Sequence, residues 1–144
     1  MDSYDRTDAA SCKEGGNACM SVGDYVNAMK WYSQALAAAP RDAVLYSNRS
    51  FAFLKLGLTA RALADADEAI RRRPDWAKAH FRRAEALSRA GVHEEALQAY
   101  AQGAKLDPSD EHLQKSCADA TARLAARKRA VHRSATSAPP PLCF

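Results

Sequence analysis

The sequence predicts an all-α fold, a solenoid of helical hairpins, and three observations predict it. Pro40, Pro74 and Pro108 stand 34 residues apart, as do Gly23, Gly57 and Gly91, and Ala28, Ala62 and Ala96. Three residue types on one period mark an internal repeat of supersecondary size. Each type also has a helical task. Proline stops a helix because it lacks the N–H and clashes with the preceding turn. Glycine takes the left-handed conformation that ends the first helix of a pair. Alanine lets two helices cross closely. Finally, alanine is abundant and no long run of Val, Ile or Thr occurs, which favours helix over strand.

Taken in order, the stops place helices at about 8–22, 24–38, 42–56, 59–72, 76–90 and 93–105, with Asp24 and Thr59 as N-caps. The flanking text "LAAAPRD", "IRRRPDW" and "KLDPSD" closes each pair. A seventh helix is expected at about 109–130, because Leu113, Cys117, Ala120 and Leu124 recur at helical spacing. It would cover the open apolar edge that a stack of repeats leaves. Residues 1–7 are expected to be flexible. Residues 131–144, with Pro139, Pro140 and Pro141, read as a disordered Pro-rich tail.

Composition narrows the function classes. Hydrophobic residues make up 47% and charged residues 26%, a balance that fits a folded soluble domain. The net charge is +4, and residues 121–144 carry five positive charges with no acid, which leaves −1 on residues 1–120. The basicity therefore belongs to one terminal stretch. Cys12, Cys19, Cys117 and Cys143 show no metal-ligand spacing and read as reduced thiols of a cytoplasmic protein, with nuclear access open. The four histidines are scattered singly, and no metal or cofactor is expected. No paired acids, phosphate loop or nucleophile–base arrangement suggests an enzyme.

The first helices of the three pairs carry a stripe of their own. Numbering repeats from residues 9, 43 and 77, positions 2, 5, 6, 9 and 13 return to one helical face. That face holds Lys13 and Asn17, then Asn48, Phe51 and Lys55, then Lys78, Arg82 and Arg89, with Glu85 among them. Segregated cations with interspersed amides point to capture of carboxylates by charge-assisted hydrogen bonds.

The 34-residue unit, with Gly16, Ala28, Tyr32, Ala35 and Pro40 in the first copy, resembles the tetratricopeptide repeat. Tyr46, Ala62, Ala69 and Pro74 carry the pattern in the second copy, and Ala84, Ala96, Tyr100 and Pro108 in the third. The resemblance implies three repeats at about 9–42, 43–76 and 77–110 plus the capping helix, wound as a right-handed superhelix. The motifs "KEGGN", "LYSNRS" and "DWAKAHFRR" resemble the dicarboxylate clamp of co-chaperone domains, most like the first such domain of the heat-shock organising co-chaperone. By that resemblance Lys13, Asn17, Asn48, Lys78 and Arg82 would hold a terminal carboxylate. Met20, Phe51 and Lys55 would add groove contacts, as would Glu85 and Arg89 on the same stripe.

The expected partner is the Glu-Glu-Val-Asp C-terminus of the seventy- and ninety-kilodalton heat-shock chaperones, bound by a monomeric adaptor without catalysis or small-molecule substrate. The alternative is a scaffold or inhibitor that binds a different folded protein, with the clamp residues incidental. Plainer readings stand beside these. Trp31 and Trp76 read as packing between helices rather than a ligand cage. The run Arg123–Arg133 reads as a solvated helix end, and nucleic acid or membrane binding is not expected.

Overall fold

The computed structural model describes residues 8–136, Pro139, Pro141 and Leu142. The expected flexible segment 1–7 and residues 137, 138, 140, 143 and 144 of the expected tail lie outside the described residues. Seven α-helices follow one another: α1 (Ala9–Ser21), α2 (Tyr25–Ala38), α3 (Ala43–Lys55), α4 (Thr59–Arg72), α5 (Ala77–Arg89), α6 (His93–Leu106) and α7 (Glu111–Thr136). No strand occurs among the described residues. Each helix packs on its neighbours in sequence, and α3 also meets α5.

The repeat is visible in the turns. Gly23, Gly57 and Gly91 have φ of 77°, 76° and 81°. Each glycine N–H bonds the carbonyl three residues back, at Met20, Leu54 and Ser88, and the next N–H bonds the one five back. This is the glycine-ended helix stop. Asp42, Trp76 and Asp110 likewise donate to the carbonyls of Ala39, Arg73 and Asp107, so the proline turns repeat as well.

Two local expectations are corrected. Asp24 caps α2 through Asn27 N, but α4 is capped at Leu58, with no side-chain bond, and Thr59 is its first helical residue. The seventh helix does not stop near 130. Alanine, arginine and lysine are good helix formers, and no breaker intervenes before Pro139, so α7 runs to Thr136. Only Pro139, Pro141 and Leu142 of the described tail are outside helix.

The core lies between successive hairpins. Ala28, Ala62 and Ala96, the repeated alanines, are all buried. Cys12, Tyr32, Leu36 and Leu45 close the first layer, and Leu87, Ala99 and Tyr100 the third. Leu113 of α7 is buried, and Cys117 and Ala120 pack on the third layer. Buried Ser50 donates its hydroxyl to the Ala62 carbonyl at 2.7 Å, so its polar atom is satisfied.

One ion pair is built into the interior. Arg49 reaches Asp65 with two parallel bonds of 2.7 and 2.8 Å and touches the Ser33 hydroxyl at 3.2 Å. Burial pushes the Asp65 carboxyl up, and the Arg49 fork pulls it back. The fork thereby ties α3 to α2 and α4.

Candidate functional site

The stripe on α1, α3 and α5 forms a groove. In α1, Gly15 and Gly16 bring the helix so close to α2 that the Trp31 and Tyr32 rings occupy the space of a β-carbon. Tyr32, buried beneath, donates its hydroxyl to Asn17 Oδ1 at 2.6 Å. Burial pushes the Tyr32 hydroxyl up to about 12, so it remains a donor. With its oxygen held, the exposed Asn17 presents its amide NH2 outward. Lys13 lies one turn earlier and is half-buried.

On α3, Phe51 is the floor. The Lys55 ammonium lies 5.2 Å from its ring centroid and the Arg82 guanidinium 4.3 Å. These are cation–π distances. Asn48 is half-buried one turn before Phe51.

On α5, Lys78 and Arg82 stand one turn apart. The Lys78 ammonium is held below its ordinary value by partial burial first, then by Arg82 and by Lys13. Three cations from two helices thus share one field. Arg82 is only 11% exposed and donates through Nη1 to Glu85 at 3.1 Å. Its Nε is buried without a partner. Arg89 instead donates to the Leu54 carbonyl at 3.1 Å, which ties α5 to α3. Met20 packs half-buried against the first core layer.

Beside Lys78 and Arg82 opens a cleft of about 700 Å³, walled by Phe51, Trp76, Phe81 and His112. Phe81 meets His112 at 5.1 Å and Tyr100 at 5.7 Å, edge to face. Trp31 packs on α1 as expected. Trp76 does not serve as interhelical packing alone; it lines this cleft, with the Arg73 guanidinium 4.6 Å from its ring. Phe81 and His112 were legible in the numbering itself. Phe81 is position 5 of the third repeat, and counting onward from residue 111 makes His112 position 2 of a fourth unit.

Among the described residues no group of three or more His, Cys, Asp or Glu side chains is placed to hold a metal, and no helix is long and apolar enough to cross a membrane. The arrangement offers amide and cationic donors around a partly apolar trough. Such donors are chemically suited to an anionic, partly apolar chain.

Comparison with known proteins gives the following. The family described as Tetratricopeptide repeat matches residues 77–110. The chain is 40% identical over 112 residues to Protein STIP1 homolog of Dictyostelium discoideum, covering 78% of this chain and 20% of that protein. It is 41% identical over 121 residues to the Hsp70-Hsp90 organizing protein of Triticum aestivum, covering 84% and 21%. It therefore spans about a fifth of the length of these two relatives. Among solved structures it resembles the first TPR of Spaghetti (RPAP3) bound to HSP90 peptide SRMEEVD, with TM-score 0.78, 29% identity, and 84% and 96% of the two chains covered. It also resembles the TPR2B-domain:pHsp70-complex of yeast Sti1, with TM-score 0.75, 27% identity, and 80% and 97% covered.

Proposed function

We propose that the chain, whose residues 77–110 match the tetratricopeptide repeat family, is a co-chaperone adaptor whose groove binds the acidic C-terminus of heat-shock chaperones of the seventy- and ninety-kilodalton classes. The crowding of Lys13, Lys78 and Arg82 beside a Tyr32-anchored Asn17 is the observation that carries this reading. The likeness to a domain bound to an HSP90 peptide and to one in a pHsp70 complex supports it. Lys13, Asn17, Asn48, Lys78 and Arg82 hold the terminal carboxylates. Phe51 and Met20 meet apolar peptide side chains, and Lys55, Glu85 and Arg89 border the path. The chain performs no catalysis and works in the cytoplasm.

The affinity follows from the chemistry. A short peptide held by a few charge-assisted bonds reaches micromolar affinity, roughly −8 kcal/mol. That strength suits reversible recruitment. Calorimetric titration with a peptide ending in Glu-Glu-Val-Asp is the test. The free acid binds at micromolar concentration, and the C-terminal amide, Lys78→Ala and Arg82→Ala each weaken it about ten- to a hundredfold. Equal binding of acid and amide would sink the reading.

A further inference from the structure

Within the groove, Arg82 already holds a carboxylate. Its Nη1 donates to Glu85 Oε2 at 3.1 Å, one turn away on the same helix. The guanidinium lies over Phe51 at 4.3 Å, and the Arg82 side chain is 11% exposed and that of Glu85 25%. Low exposure strengthens the pair relative to a surface one, and it also raises the penalty for leaving either group alone. Arg82 Nε, buried without a partner, is a donor that the Glu85 bond leaves unused. Arg89, the last residue of α5, is directed to the Leu54 carbonyl instead. Glu85 thus bonds an arginine that the ligand needs.

We propose that Glu85 is an intramolecular stand-in for the ligand, a carboxylate that occupies Arg82 in the empty groove and is exchanged for a carboxylate of the bound peptide. The inference rests on the reading of the groove as a carboxylate-binding site. It follows that Glu85 lowers affinity for acidic peptides while keeping Arg82 ordered, and that it acts through Arg82 rather than through bulk charge. An exchange of like for like keeps the buried guanidinium paired in both states, so the ligand gains only the difference between two carboxylates. A general charge effect would instead act on any anion and would not need Arg82.

The test is a cycle of Glu85→Gln and Arg82→Ala, singly and together, titrated by fluorescence anisotropy at low ionic strength with a labelled peptide ending in Glu-Glu-Val-Asp. Glu85→Gln keeps the side-chain shape, and Glu85→Ala repeats the measurement without a hydrogen-bonding replacement. Both are expected to tighten binding about three- to tenfold, an effect that vanishes when Arg82 is alanine. Circular dichroism checks that each variant is folded. Unchanged or weaker binding by folded Glu85 variants, with the wild type still binding, overturns this inference alone. Tightening that persists without Arg82 also overturns it, in favour of bulk charge. A wild type that binds no peptide overturns the adaptor reading and this one together.

Discussion

Gly16 leaves no room for a side chain. A β-carbon built there falls 2.5 Å from Tyr32 Cε1 and 2.7 Å from Cδ1. Because Tyr32 is buried and holds Asn17, Gly16→Ala pushes on the core and on the groove at once. It is expected to destabilise the fold by about 1–3 kcal/mol, read as a shift of the urea midpoint. It is also expected to weaken peptide binding. Lys78 gives a second prediction at this scale. Partial burial, Arg82 and Lys13 lower its free-state value from the ordinary 10.5. A bound carboxylate favours the charged ammonium and raises that value again. Affinity therefore stays level while free Lys78 is protonated, and falls as pH rises through its depressed value, before an ordinary lysine would titrate. Calorimetry from about pH 7 to about pH 10 should show the fall, and Lys78→Arg should flatten it. The identities of the groove cations were legible in the stripe. Their mutual distances were not, because the turn between hairpins, not the sequence within one helix, decides whether Lys13 meets Lys78.

At the scale of the helix, the repeated glycines separate backbone from packing. A β-carbon on Gly23, Gly57 or Gly91 meets nothing within 4 Å, yet all three residues have positive φ. Replacing any one with alanine therefore costs only backbone strain, about 1 kcal/mol, with m-value unchanged in urea unfolding. These turns were legible because the need for glycine is local. The caps were legible only in part. Position 24 recurs as 58 and 92, and only the first copy has aspartate there, so Leu58 and Val92 cap their helices by backbone register without a side-chain bond. Thr59 had the right chemistry one residue too late. The end of α7 was obscured for the opposite reason. Nothing in the local text stops it, and only the length of α6 shows where packing ends. Every residue from Ala126 to Thr136 is exposed. A chain ending at Ala125 should unfold within about 0.5 kcal/mol of the full one.

For the whole molecule, those exposed residues matter through charge rather than packing. The chain carries a net +4, and Arg127, Lys128, Arg129 and Arg133 lie beyond Ala125, so the shortened chain is neutral overall. Of these, Lys128 pairs with Glu94 at 3.3 Å, and both partners are well exposed, so solvent screens that attraction. The groove itself keeps Lys13, Lys78 and Arg82 in either form. Short-range bonds in the groove set how long a peptide stays, whereas the field of the entire surface sets how often it arrives. The two contributions separate in rate measurements. Stopped-flow mixing with an acidic peptide at low salt should show the shortened chain associating several-fold more slowly and dissociating at the same rate. Raising the salt should slow the full chain until the two association rates converge, since screening removes what truncation removed. Faster dissociation of the shortened chain would instead mean that the end of α7 beyond Ala125 touches the peptide directly, and would extend the site past the cleft that His112 walls.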